Sequence, residues 1–291
     1  MITKFDSLYA GHVDMTDIGY GGTAVNDRKF GNDHLMTVYS KAEAIAKTLD
    51  TNGFDTMWMA EHHFQPEGYE CIPNLIMLNV HLAHLTKNIK FGCGFNIAPM
   101  WHPLRLAEDF AMADILTNGR VIFGVGRGYH SREVETFGAP MLDSDANREL
   151  FEEQVEVILK AFREESFSHE GKHYRIPARV PYRGYTLEKL SLVPRPINQP
   201  VEIWQPIASG RTLPYIAQKG IKGMVALTGE ILAEQLIRTY QEESAKVGRV
   251  LDLGQDMALG IGFCIGDSQE AAINQVRPYH DERYKWFAPF G

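Results

Sequence analysis

Three polar residues, Glu61, His62 and His63, directly follow the apolar run FDTMWMA. Polar groups at the end of a buried strand cost free energy unless they are hydrogen-bonded or used in a site. A histidine exchanges a proton near neutral pH, so these rings are candidate general acids or bases. The alternative is a structural role within the core. Adjacent strand residues point to opposite faces, which argues against a metal ion shared by His62 and His63, and no metal is expected.

Two other stretches carry groups suited to an anion. Arg127 lies in GVGRG, whose glycines allow close approach of a ligand to the backbone, and a guanidinium group binds phosphate well. The stretch lacks the spacing of a dinucleotide-binding fingerprint. Ser209 and Thr212, in ASGRT, precede a predicted helix whose first N–H groups suit a phosphate. The alternatives are a surface arginine on a tight turn and ordinary helix capping.

These groups follow apolar runs that alternate with longer amphipathic segments, which indicates β-then-α units and a parallel sheet. Both an open doubly wound sheet and a closed barrel satisfy this alternation. In a βα-barrel the site lies at the carboxyl ends of the strands, where these polar residues gather. The predicted strands are KFDSLYAG, FDTMWMAE, IKFGCGFNIAP, RVIFGVGRG, VEIWQPIA, IKGMVALTG and MALGIGFCIG.

Seven strands are too many for a small open sheet, which favours an α/β fold with a single (β/α)8 barrel domain over residues 1–291. Only seven strands are predicted, so the last strand–helix unit is expected to be missing or the count is off by one. The polar, aromatic and proline-rich residues 166–200 are predicted to form an inserted loop or lid.

Composition excludes several classes of function. The 291 residues carry a formal charge of -8 without a basic run, so no nucleic acid partner is expected. No apolar run approaches the roughly 20 residues of a membrane helix, and the amino terminus lacks a signal-peptide core. The three cysteines, Cys71, Cys93 and Cys264, lack metal-site spacing and are predicted to be buried free thiols. We expect a cytoplasmic protein.

The combination of FDTMWMAEHHF, HPLRLAEDFAMADILTNGRVIFGVGRGYHSREVETFG and IASGRT, in this order, resembles the bacterial luciferase-like flavin monooxygenases. The resemblance extends over nearly the whole chain and is strongest over residues 53–138. It implies a βα-barrel that binds reduced flavin mononucleotide (FMN) delivered by a separate reductase. In that family the reduced flavin reacts with oxygen to give a flavin hydroperoxide, which oxygenates a small organic substrate.

The resemblance also implies roles for individual residues. His62 matches the catalytic base and His63 a supporting residue, whereas Phe95 and Asn96 lie on a strand that lines the flavin ring, often with a cis peptide bond. Matching the phosphate site are Arg127, the backbone at Tyr129, Arg148, Ser209 and Thr212. Glu61 and Ala208 belong to the same motifs and are included among the expected cofactor-binding residues; luciferases have an acidic residue where this chain has Ala208.

Two alternatives to a two-component monooxygenase remain at this point. One is a deazaflavin-dependent oxidoreductase that transfers hydride on the same barrel. The other is a non-catalytic subunit of a luciferase-like heterodimer, which the presence of His62 and both arginines, Arg127 and Arg148, argues against. Family members commonly pair through the helices after the second and third strands, so a homodimer is expected.

Overall fold

A computed structural model describes residues 2–207, 209–226 and 228–288. The chain divides into two compact units. The first unit contains the residues up to Tyr9, Ala42–Glu61 and Ile72–Trp204. The second contains Ala10–Lys41, His62–Cys71 and the residues from Gln205 onward. The single-domain organisation expected from the sequence stays a prediction.

Strands and helices alternate along most of the chain. The strands are β1 (Asp6–Tyr9), β2 (Thr56–Met59), β3 (Lys90–Cys93), β4 (Asn96–Ile97), β5 (Val121–Gly126), β6 (His169–Glu170), β7 (Arg175–Ile176), β8 (Pro181–Tyr182), β9 (Tyr185–Thr186), β10 (Ile203–Pro206), β11 (Lys222–Ala226) and β12 (Met257–Gly260). The α-helices are α1 (Asn32–Leu35), α2 (Thr37–Thr51), α3 (Leu75–Leu85), α4 (Pro103–Leu116), α5 (Ser131–Val134), α6 (Ser144–Arg163), α7 (Leu213–Lys219), α8 (Glu230–Lys246) and α9 (Gln269–Phe287). All seven strands predicted from the apolar runs are present, which confirms the expected β-then-α pattern.

In the first unit the long strands form a parallel sheet in the order β1-β2-β3-β5-β10. The register aligns Trp58 with Gly92, and Gly92 with Ile122. Strands β2 and β5 are buried along their whole length, as expected for parallel strands covered on both faces. The short strand β4 pairs with the end of β5. This pairing returns the chain after β3 to the carboxyl end of β5, where Arg127 follows.

The segment between α6 and β10 carries structure of its own. It contains two short antiparallel pairs, β6 with β7 and β8 with β9. Glu153 of α6 accepts hydrogen bonds from the backbone N–H groups of His173 (2.9 Å) and Tyr174 (2.8 Å). Burial opposes ionisation of Glu153, but these bonds outweigh it and lower the pKa of the carboxyl. The first pair is thus attached to α6, and the role of residues 166–200 as a lid stays a prediction.

In the second unit the end of β10 continues into a parallel sheet with β11 and β12. The register aligns Met224 with Ala258, and Ile207 N–H donates to the Met224 carbonyl (2.8 Å). Tyr240 of α8 is buried and donates its hydroxyl to the Ile221 carbonyl (2.8 Å). No helix in the described part of the chain combines the length and hydropathy of a membrane-spanning segment.

A buried glutamate on α9 organises the loop after β1 in the second unit. The Glu282 carboxylate pairs with Arg28 (3.0 Å) and Lys285 (2.8 Å). It also accepts from Gly19 N–H (2.7 Å) and from the Tyr69 hydroxyl. Burial opposes ionisation of Glu282, but these partners outweigh it, and the net effect lowers the pKa of the carboxyl. The last described helix thus fixes both the long loop and the segment that carries Tyr69.

We expect Glu282→Gln to lower the free energy of unfolding by about 3 kcal/mol at pH 7, because it leaves Arg28 buried without its full countercharge. Since the folded-state pKa of Glu282 lies below the ordinary value of about 4.3, its stabilisation is present above that value and is lost as pH falls through the folded pKa. Urea unfolding at several pH values measures this. The difference from wild type should shrink below about pH 4. Glu270→Gln, an exposed change on the same helix, is the control, and an equal loss there would contradict the prediction.

Candidate functional site

Glu61, in the first unit, uses both carboxylate oxygens to hold the chain that follows β3. The side chain is buried at the end of β2. Its Oε2 accepts from the backbone N–H of Ile97 (2.6 Å), and its Oε1 accepts from Nε1 of Trp101 (2.8 Å). A buried carboxylate needs such donors to offset its desolvation. These contacts favour a positioning role for Glu61, whereas direct cofactor binding stays a prediction.

The segment held by Glu61 includes the predicted flavin-lining residues. The Gly94–Phe95 peptide bond is cis, at the place where the family resemblance suggested one. Asn96 is fully buried and donates Nδ2 to the Gly124 carbonyl (3.0 Å). Its Oδ1 has no hydrogen-bond partner among the described residues. A Cβ atom at Gly124 would overlap the Cys93 carbonyl oxygen and contact the Phe95 ring, so glycine is required for this close approach.

A chain of hydrogen bonds extends from Glu61 into the inserted segment of the same unit. Gln154, buried on α6, donates Nε2 to the Trp101 carbonyl (3.0 Å) and also contacts the Tyr174 hydroxyl (2.9 Å). Burial raises the pKa of Tyr174, so its hydroxyl stays protonated at neutral pH. Glu61, Trp101, Gln154 and Tyr174 therefore link β2, the segment after β4, α6 and the residue just before β7.

Of the two predicted phosphate-binding arginines, Arg127 follows β5 and contacts the first turn of α6, and Arg148 is part of α6. Arg127 Nη1 is 3.3 Å from the Ser144 carbonyl and 3.3 Å from Asn147 Oδ1. The buried Asn147 amide in turn donates to the Arg127 carbonyl (3.3 Å). Arg148 follows on the same helix turn, lies 3.7 Å from Glu152, and its Nε has no hydrogen-bond partner among the described residues. Arg127 thus contacts the first turn of α6, whereas Arg148 lies on the helix itself with its guanidinium group near Glu152.

Tyr129 lies in the turn between β5 and α5. The residue is 39% exposed, and its ring lies 4.1 Å, centroid to centroid, from the ring of the buried His130. Gly128, just before it, has a φ of 81°, and a Cβ there would contact Val134 Cγ2 at 2.7 Å. The left-handed conformation and the lack of space both require glycine at this position.

In the second unit, His62 is buried against a carboxylate. Its Nε2 lies 3.3 Å from Oε2 of Glu70, and the two side chains are 5% and 8% exposed. Gln65 donates Nε2 to the same oxygen (3.4 Å). His63, by contrast, is half-buried, and its ring lies 5.6 Å from that of Phe64. The two adjacent histidines therefore have different environments, and the role of His62 in proton transfer stays a prediction.

The helix entry of the second unit agrees only in part with the sequence prediction. Neither Ser209 nor Thr212 makes a side-chain capping hydrogen bond to the described helix start, so ordinary capping does not account for them. Thr212 is buried and its N–H donates to the Ser209 carbonyl (3.3 Å). Ala208 lies outside the described residues. Phosphate binding by this entry stays a prediction.

Several residues of these arrangements were not singled out from the sequence: Gln65, Glu70, Trp101, Asn147, Gln154 and Tyr174. Their partners are distant in sequence or lie in an irregular loop, so no period or motif marks them.

Cys93 is buried, as the sequence predicted for all three cysteines. Burial raises the pKa of its thiol to about 12 and keeps it neutral. It matches the expected buried thiol, whereas Cys71 and Cys264 are only partly buried.

Comparison with known proteins agrees with the resemblance. A family model described as luciferase-like monooxygenase matches residues 17–288. The oxygenase component of flavin-dependent trigonelline monooxygenase from Acinetobacter baylyi is 25% identical over 256 residues, which cover 86% of this chain and 66% of that protein. This chain spans less than two thirds of the length of the curated relatives that it matches.

Solved structures share the fold. The oxygenating constituent of 3,6-diketocamphane monooxygenase from Pseudomonas putida, a type II Baeyer–Villiger monooxygenase solved with FMN, has a TM-score of 0.78 at 21% identity, covering 100% of this chain and 77% of that one. An F420-dependent secondary alcohol dehydrogenase has a TM-score of 0.70 at 14% identity, covering 100% and 82%. The luciferase-like α/β barrel class predicted from the sequence is confirmed.

We expect Glu61→Ala to lower the free energy of unfolding by about 2–4 kcal/mol, because it leaves two donors, the buried Ile97 N–H and the part-buried Trp101 Nε1, without their acceptor. Urea unfolding followed by tryptophan fluorescence measures the loss. Glu165→Ala, an exposed position in the same unit, is the matched control. A change in Glu61→Ala no larger than in the control would contradict the positioning role.

Proposed function

We propose, because the chain belongs to the luciferase-like monooxygenase family, that it is the oxygenase of a two-component flavin system. In this proposal it binds reduced FMN, supplied by a separate reductase, and uses O2 to oxygenate a small organic substrate. The observation that carries the proposal is that two arginines are associated with α6: Arg127 contacts its first turn, and Arg148 lies on the helix. A homodimer and a cytoplasmic location accompany the proposal as expectations.

The arginine pair supports a phosphate-bearing cofactor. A phosphate monoester carries up to two negative charges, and guanidinium groups bind it with charge-assisted hydrogen bonds. The positive end of the 20-residue helix α6 adds a favourable field. Asp143, however, already accepts from the N–H groups of Asp145 (3.1 Å) and Ala146 (3.0 Å). Binding therefore depends on the two guanidinium groups more than on the first N–H groups of the helix.

The segment after β3 carries groups suited to binding the flat, polar ring of a flavin. The unused Oδ1 of Asn96 is a buried acceptor suited to a ring N–H group, and the Phe95 ring lies beside Gly124. Bound reduced FMN supplies the electrons that activate O2. The protein's own contribution is a rigid, water-poor wall around that chemistry, which Glu61 maintains by fixing Ile97 and Trp101.

His62 is the proposed proton-transfer group. A histidine accepts or donates a proton near neutral pH, as oxygenation of a substrate requires. Its contact with Glu70 (3.3 Å) gives it the ring-orienting carboxylate that such a group needs. His63 is assigned a supporting role. A deazaflavin-dependent hydride transfer is the second candidate, because the F420-dependent dehydrogenase has the same fold.

Arg127→Ala should weaken binding of reduced FMN by about tenfold or more, the scale of one hydrogen bond between charged groups. Binding of reduced riboflavin, which lacks the phosphate, should change little. Anaerobic titration of both ligands measures the two affinities. Arg105→Ala removes an exposed arginine of the same unit and is the control. Equal losses for FMN and riboflavin would contradict a phosphate-binding role.

The proposed function is tested by stopped-flow absorbance after anaerobic loading with reduced FMN and mixing with O2. We expect a near-ultraviolet species that persists before oxidised flavin appears. Reoxidation at the rate of free reduced FMN would contradict the proposal, and binding of a deazaflavin instead would favour the second candidate.

Once a substrate is identified, His62→Ala should lower the rate of its oxygenation by about 10²-fold while the affinity for FMN changes little. An unchanged rate would contradict the proposed role of His62 in proton transfer.

A further inference from the structure

We infer that Glu70 is a positioning residue that determines which nitrogen of His62 carries hydrogen, and so makes Nδ1 the proton-accepting atom of the neutral ring. This inference rests on the proposed function for its catalytic meaning. The contact itself is a property of the second unit and can be measured without any cofactor.

The contact is between two buried groups. His62 Nε2 and Glu70 Oε2 are 3.3 Å apart, and both side chains are more than nine-tenths buried. Gln65 contributes a second donor to the same oxygen, since its Nε2 lies 3.4 Å away. A buried carboxylate remains ionised only with such partners. Because Glu70 Oε2 already accepts from the Gln65 amide, we assign it as an acceptor, which places the hydrogen of His62 on the nitrogen that faces it, Nε2.

The Glu70 backbone is held on both sides. Cys71 N–H donates to the Gly11 carbonyl (3.0 Å) on one side. On the other side Tyr69 donates its hydroxyl to Glu282 and stacks on Trp286, with ring centroids 4.5 Å apart and planes within 12°. These attachments fix the backbone on both sides of Glu70, while His62 and Gln65 contact its carboxylate.

Gly68 completes the attachment of this segment. Its carbonyl accepts from Val13 N–H (2.9 Å), and its φ is 82°. A Cβ there would lie 2.6 Å from Val13 Cγ2 and 2.8 Å from the Phe30 ring. The backbone therefore takes a conformation that favours glycine and packs without space for a side chain, so the segment approaches the loop after β1 closely just before Glu70.

The consequence for proton transfer follows from imidazole chemistry. A neutral ring has one N–H group and one lone pair. With the hydrogen of Nε2 directed at Glu70, the lone pair is on Nδ1, and an incoming proton goes there. The resulting imidazolium is stabilised by the same carboxylate. A hydrogen bond from one ring nitrogen commonly defines the function of the other in this way.

Long-range ¹H–¹⁵N correlation NMR on the protein without cofactor tests the inference, because it identifies the protonated nitrogen of each imidazole. The chain has 11 histidines, and the His62 signals are assigned by their loss in His62→Gln. In wild type we expect Nε2 of His62 to be protonated. Glu70→Gln replaces a group that only accepts with one that can also donate, so the preference for a hydrogen on Nε2 should be lost and its signal should move towards that of an unprotonated nitrogen. Glu67→Gln removes the same charge from the same segment and should leave the His62 signals unchanged.

A wild-type spectrum with His62 protonated on Nδ1 alone would overturn the inference without any variant, so misfolding of Glu70→Gln does not prevent the test. Identical His62 signals in wild type and in folded Glu70→Gln would also overturn it. In the oxygenation assay Glu70→Gln should lose about tenfold in turnover, a part of the roughly 10²-fold effect of a general acid or base, with unchanged affinity for reduced FMN. If wild type shows the Nε2–H form but no oxygenation, the proposed function fails while the assignment of Glu70 stands.

Discussion

The buried carboxylate of Glu61 is the constraint on which the first unit's candidate site depends. An ionised carboxylate inside a protein must be compensated by donors of suitable geometry. Glu61 finds them in Ile97 N–H and Trp101 Nε1, which lie 36 and 40 residues later in the chain. Satisfying one charge therefore fixes the backbone that carries Phe95 and Asn96. Gln154 extends the same constraint to α6, because it donates to the Trp101 carbonyl.

The second unit contains two further buried carboxylates that are stabilised by nearby donors. Glu282 compensates Arg28 and Lys285 and so attaches the loop after β1 to α9. Glu70 is compensated by His62 and Gln65. Tyr69 joins the two arrangements, since it contacts Glu282 through its hydroxyl and directly precedes Glu70. A buried carboxylate without donors would destabilise the fold, whereas each of these two holds irregular segments of the chain in place through its donors.

The sequence predicted the long strands because parallel strands covered on both faces need uninterrupted apolar runs, and such runs are visible without tertiary information. It also identified His62 and Arg127, whose residue types at strand ends are unusual enough to indicate chemistry. Trp101 and Glu70 were missed because their roles depend on contacts that no local period encodes. The short strands β6 to β9 were missed for a related reason: two-residue strands have no measurable alternation. The cis bond at Gly94–Phe95 was suggested only by family resemblance.

The neighbouring residues Glu61 and His62 illustrate why this strand end is polar. Side chains of consecutive residues in an extended segment point in opposite directions. Glu61 accordingly bonds to Ile97 and Trp101 in the first unit, whereas His62 contacts Glu70 in the second. Glu61 thus holds the backbone after β3, while His62 is the residue for which proton transfer is proposed. Because Glu61 and His62 have different partners, we expect substitution of Glu61 to lower the free energy of unfolding and substitution of His62 to lower the rate of oxygenation.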